Sequence, residues 1–130
     1  MRALSFAAIF RYSAAFIFTI TSFNELYNGY RFEYHAPNGL LLIHNNVKCF
    51  LVHVDHRLSE AFNNQTEKDR IKDDILAIIS DGTSAVNVSS DVLRFDYSDY
   101  LAASQCRDLQ VYKLPYTYDT QAGVEMTTVY

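Results

Sequence analysis

The chain has 130 residues, enough for one domain and a short tail, and 49 % of them are hydrophobic, which allows one compact core. Ten Tyr and nine Phe against two Pro and four Gly exclude a disordered chain. A net charge of -4, with no Lys/Arg cluster, excludes a phosphate-tracking surface, so no nucleic-acid partner is expected.

Residues 1–23 read as a targeting segment: Arg2 lies near the start, and the apolar residues that follow are interrupted by Arg11 and Tyr12 and resume through Ser13 to Ile20. A secretory signal needs a basic start and an apolar core of about 7–15 residues, whereas a membrane span needs about 20 without a charge near its middle. Arg11 therefore favours a signal peptide, removed near Thr21 to Asn24, over a retained signal anchor. The expected location is the ER lumen or the cell exterior. Retention of the segment would instead give a single-pass type II membrane protein, the one case in which the membrane is a partner.

Two acceptor triplets agree with export, Asn64-Gln65-Thr66 and Asn87-Val88-Ser89, and mark Asn64 and Asn87 as candidate glycosylation sites. The two cysteines agree as well, because an even pair in a small exported domain is more often a bridge than two free thiols. Cys49 and Cys106 are expected to be bonded.

From Tyr27 to Asp55, aromatic and branched residues with polar breaks predict three strands. The first, Tyr30 to His35, ends at Ala36-Pro37-Asn38-Gly39; the second runs from Leu40 to His44; Asn45-Asn46 then turns the chain into Val47 to Asp55. In that third strand Phe50 and Val52 share one face while Cys49 and Leu51 share the other, so elements should pack on both sides. A helix is predicted from Thr66 to Ser80, capped by Thr66, with Ile71, Ile75, Ile78 and Ile79 inward and Asp81-Gly82 as its stop. Its charged residues Lys68, Arg70, Lys72 and Asp73 read as a solvated face. A short strand at Ala85 to Val88 and a second helix from Asp96 to Arg107, with Leu101 and Ala102 inward, lead to a last strand at Leu109 to Leu114, broken at Pro115. Strands and helices together make the chain α+β, and no repeat or linker divides it.

No chemistry-bearing motif emerges. The glycines are isolated, no Ser lies in a Gly-x-Ser-x-Gly turn, and no cofactor or catalytic residue is expected. His53-Val54-Asp55-His56 has ligand-like spacing, but on a strand His56 points away from His53 and Asp55, and no metal site is expected. His35, His44 and His53 fall on adjacent predicted strands, where protonation below about pH 7 would add charge to the sheet, although exposed bystander histidines are the commoner arrangement. Glu33, inside the aromatic run Tyr30-Arg31-Phe32-Glu33-Tyr34, is either an exposed edge residue or a partly buried acid whose ionisation alters packing between sheet and helix.

Taken in order, these residues resemble a BRICHOS domain over about Tyr27 to Tyr118. Phe32-Glu33-Tyr34 stands where that family has an aromatic-Asp-Tyr strand, and Val47-Lys-Cys49-Phe-Leu-Val52 is similar to its first cysteine strand. The helix Thr66 to Ser80 falls where the family has its first helix, and Leu101 to Tyr112, with Cys106, resembles its second helix, second cysteine and closing strand. Glu33 replaces the family's Asp, Gln110 stands where proline is frequent, and no dibasic processing site precedes the domain. The resemblance implies a central antiparallel sheet flanked by two helices over a domain spanning 27–118, followed by a tail 119–130, and the Cys49–Cys106 bridge. It also implies a chaperone module that shields a β-prone peptide or unfolded client without ATP, with Glu33 as an acidic switch. Local candidate clients are Ala14 to Ile20 and the tail from Val111 to Tyr130; a separate polypeptide is the other candidate. The alternative is a secreted, disulfide-bonded interaction or ligand domain contacting a receptor, and a small hydrolase or metal protein ranks last. Open sheet edges are compatible with homo-oligomer formation.

Overall fold

The computed structural model describes residues 22–118. They form a six-stranded sheet in the order β1-β2-β3-β4-β6-β5. The strands are β1 (Phe23–Tyr27), β2 (Tyr30–His35), β3 (Leu40–His44), β4 (Lys48–His53), β5 (Val86–Val88) and β6 (Gln110–Lys113). Four helices complete the α+β fold: α1 (His56–Ala61), α2 (Gln65–Asp81), α3 (Asp91–Phe95) and α4 (Tyr100–Gln105). All strand pairs are antiparallel except β4 with β6, which the long α-helical crossover makes parallel.

The first four strands form a meander. Asn28 and Gly29 both take positive φ (49° and 87°), as a two-residue hairpin turn requires, and pair Tyr27 with Tyr30. Gly39 (φ 61°) closes the turn after Pro37, and the Asn45 side chain accepts from the backbone N–H groups of Val47 and Lys48. β1 was not foreseen. Phe23, assigned from the sequence to the leader, instead opens this strand, and its ring packs 5.0 Å from that of Phe62 and 5.8 Å from that of Tyr34. The domain therefore begins ahead of Tyr27.

Both sheet faces are covered, as the β4 pattern requires. On one face Phe32, Tyr34, Leu41, Ile43, Phe50 and Val52 meet Leu58 of α1, Phe62, and Ile71 and Ile75 of α2. On the other, Leu40, Leu42, Cys49, Leu51 and Val111 meet Leu93 of α3 and Ala102 and Cys106 of α4. Each fully buried Leu, Ile or Phe contributes about 1.5–3 kcal/mol, so these two layers carry the stability of the domain. The Cys49–Cys106 disulfide, with a Cα–Cα separation of 6.0 Å, ties β4 to the C-terminal end of α4.

Three helical expectations need correction. Asn64, not Thr66, caps α2, accepting from Glu67 N–H at 3.0 Å, while Gly82 (φ 74°) terminates it as expected. The predicted Asp96–Arg107 helix is two short helices, because Ser98 adopts a positive φ (53°) and Asp99 then caps a fresh start, accepting from Ala102 N–H. That offset turns Ala102 inward and leaves Leu101 61 % exposed. Nor are Lys68 and Lys72 solvated: both reach across to β1, bonding the Glu25 carboxylate at 2.7 and 2.6 Å, with Lys72 buried.

Candidate functional site

Strand alternation puts Glu33 and His35 on the same face of β2 as Leu40, Leu42 and His44 of β3, the face covered by α3 and α4. Glu33 lies opposite Leu42, and His44 lies opposite Arg31, so His44 is diagonal to Glu33 and within reach of its carboxylate. From α4 come Asp99 at the N-cap and Gln105 in the last turn.

These side chains converge on one hydrogen-bonded chain. Glu33 Oε2 meets His44 Nε2 at 2.7 Å and accepts from Gln105 Nε2 at 3.2 Å, while Glu33 Oε1 meets His35 Nε2 at 3.1 Å. His35 Nδ1 meets Asp99 Oδ2 at 2.5 Å, and Asp99 Oδ1 accepts from the Ala102 N–H at 3.0 Å. Glu33 is 3 % exposed and Asp99 2 %, so the exposed-edge alternative for Glu33 is excluded. Buried carboxylates of this kind persist only when every oxygen has a partner.

Both nitrogens of His35 face carboxylate oxygens, so only the doubly protonated ring donates in both directions. Burial pulls the His35 pKa down, but the hydrogen bonds the ring donates to the Asp99 and Glu33 carboxylates outweigh it and raise the pKa above 6.5. Burial works to raise the pKa of Glu33 as well, but hydrogen bonds from His44 and His35 outweigh it and hold the carboxyl below its ordinary value. Asp99 is likewise held low, by the Ala102 N–H and His35. The arrangement is an ionic clasp between β2 and α4 in which each Glu33 and Asp99 oxygen has a partner, while Gln105 Oε1 is buried without a donor among the described residues.

The remaining residues singled out from the sequence lie elsewhere. Asn64 is exposed at the α2 cap and Asn87 is exposed on β5. His53 does not join the cluster, its ring standing 6.5 Å from that of Tyr97. Asp55 caps α1 through the Leu58 N–H, and His56 lies exposed beside Glu60, so that quartet disperses. Among the described residues no group of three or more His, Cys, Asp or Glu could hold a metal ion, and no helix is long and apolar enough to cross a membrane. The targeting segment lies outside the described residues apart from Ser22 and Phe23, as does the tail beyond Tyr118. Val111 to Lys113, counted from the sequence in a candidate client, form β6 and are committed to the sheet. Asp99 and Gln105 were not anticipated; the usable signal was Asp99 immediately before Tyr100-Leu101-Ala102-Ala103, an N-cap pattern. Comparison with known proteins gives no matching family model, no matching curated protein and no matching solved structure.

Proposed function

We propose that this chain is a BRICHOS-like chaperone module of the secretory pathway that binds β-prone peptide segments and limits their aggregation without ATP. The observation that carries the reading is the terminal position of β1. Its outer side pairs with no strand among the described residues, and Leu26 on it is 68 % exposed. An edge of this kind offers backbone donors and acceptors to an incoming strand, with an apolar side chain for contact. The opposite edge, β5, has only three residues and bears Asn87, where a glycan would hinder pairing. Further support comes from the sequence order Phe32-Glu33-Tyr34, cysteine strand, helix, Cys106 and closing strand, and from the burial of Glu33 at a sheet-to-helix contact. The mechanism needs no catalytic residue: client affinity comes from strand addition, and the clasp at Glu33 keeps α4 seated on the sheet.

The test uses the full chain from a eukaryotic secretory host and a synthetic Ala14–Ile20 peptide as the fibril-forming client. Suppression of fibril growth at substoichiometric chain, lost in Leu26→Lys because an edge lysine opposes strand addition, is the expected result. Fibril growth unchanged by the wild-type chain overturns the reading.

A further inference from the structure

Three hollows on the α3/α4 side of the sheet adjoin one another. The first, about 420 Å³, contains Arg94, Tyr100, Ser104 and Arg107. The second, about 410 Å³, shares Ser104 and Arg107 with it and continues to His44, Asn45 and Asn46. Those last three also line the third, about 260 Å³, which ends at Arg31 and Leu26. The hollows thus form a single groove running from α3, past the end of α4 and the β3–β4 turn, onto the uncovered part of β1 and β2.

The groove's cations differ from those on α2. Lys68, Arg70 and Lys72 are all bonded to carboxylates. Arg31, Arg94 and Arg107 have no carboxylate within ion-pair distance among the described residues; Arg31 donates only to the neutral Asn24 side chain. A guanidinium presents a rigid fork matched to a carboxylate, and three of them stand along one groove of this acidic chain without a carboxylate partner among the described residues. Beside them stand exposed aromatic and apolar side chains, with Tyr100 in the groove and Phe95 and Leu101 on the same pair of helices. Arg and Tyr are the residue types that concentrate binding energy at interfaces.

We propose that this groove binds an extended peptide carrying separated acidic residues, its carboxylates meeting Arg31, Arg94 and Arg107 and an aromatic or apolar side chain resting on Tyr100. Asp91 in the first hollow and Asp108 in the second oppose a continuous polyanion, so discrete carboxylates fit and a sulfated polysaccharide does not. Gln105, in the wall of the second hollow, keeps its buried Oε1 without a donor, an acceptor that a peptide N–H would satisfy after a small side-chain movement. The occupant need not be β-prone, and the groove shares only Leu26 with the edge proposed for client strands.

The experiment is fluorescence anisotropy on the full secreted chain with a labelled peptide of about eight alternating Glu and Tyr residues, about 27 Å long when extended. Wild-type chain is expected to bind it and to ignore the Lys/Tyr counterpart. Arg94→Glu and Arg107→Glu should each weaken binding about tenfold, the scale of one lost interface anchor. Lys113→Glu, an equal charge change at an exposed β6 site outside the groove, should leave it unaltered, and near-UV circular dichroism matching wild type establishes that each variant is folded. Equal weakening by Lys113→Glu, no binding by the wild type, or tighter binding of a heparin fragment than of the peptide each overturns the proposal.

Discussion

One oxygen of the Asp99 carboxylate caps α4 by accepting from the Ala102 N–H, and the other meets Nδ1 of His35 on β2. A six-residue helix is far too short to persist alone, so α4 depends on its ends: Asp99 at the N-cap and the Cys106 bridge to β4 at the C-cap. Asp99→Ala removes the cap, costing about 1 kcal/mol, and also strips His35 of a buried partner, costing about 1–3 kcal/mol more. Asp99→Asn preserves the cap and should recover the first of these while still losing the second. Urea unfolding of the two variants measures the difference; equal destabilisation by both would mean that the cap contributes nothing.

The clasp also sets a pH window. His35 has its pKa raised on folding, so its contribution is complete below the unfolded value of 6.5 and is lost as pH rises through the folded value. Glu33 and Asp99 have theirs lowered, so their contributions are present above the ordinary carboxylate range and are lost as pH falls through the folded values. His44 and Gln105 also face Glu33, and Asn38 also bonds Asp99. Stability should therefore peak between about pH 4.5 and 6.5 and decline on both sides. In His35→Gln the alkaline decline should flatten while the acid decline remains. Urea midpoints across this range provide the measurement, and an unchanged alkaline limb in the variant would refute the assignment to His35.

Much of this was legible because local chemistry and burial agree. Pro37, Gly39 and the Asn45-Asn46 pair punctuate β2, β3 and β4, and the apolar content of both faces of β4 announces two covering layers. The isoleucines of α2 and the stop at Gly82 likewise follow from helical spacing. What escaped are features decided by partners distant in the chain. Tyr27-Asn28-Gly29-Tyr30 is a strong hairpin signal, but the strand before it, with Phe23 next to the apolar N-terminus, reads as the end of a leader. Lys68 and Lys72 look solvated until Glu25 is placed opposite them. Glu33 was visible as an anomaly, yet its burial depends on two histidines from different strands and a cap residue 66 positions later, since the helix register that presents Asp99 rests on the positive φ of Ser98.

The bridge closes a chain segment of 57 residues that includes α1, α2, β5, α3 and α4. In the chain-entropy account, opening such a loop lowers stability by about 4 kcal/mol, a large part of what a domain of this size possesses. Cys49→Ser and Cys106→Ser should each leave the product retained or aggregated in a eukaryotic secretory host, and the double variant should be no worse than either single. Secretion of Cys49→Ser at the wild-type level would contradict this.

β1 gives the last prediction. Its three residues on the α2 side are held by two lysines one helical turn apart: Lys68 lies over the Phe23 ring and bonds Glu25, and Lys72 bonds Glu25 and lies over the Tyr27 ring. Hydrogen bonds from both lysines hold Glu25 below its ordinary pKa, and Glu25 and Asp69 hold Lys72 above its own. Removing the carboxylate in Glu25→Gln leaves the buried Lys72 ammonium with only Asp69 at 3.3 Å, and should destabilise the chain by about 2–3 kcal/mol, with β1 amides losing hydrogen-exchange protection first. Lys72→Met keeps the stem packed on Tyr27 and leaves Glu25 paired with Lys68, so it should cost less. The double variant Glu25→Gln/Lys72→Met should be more stable than Glu25→Gln alone, because the uncompensated buried charge is gone. Additive losses in that double-mutant cycle would mean that the two side chains do not interact.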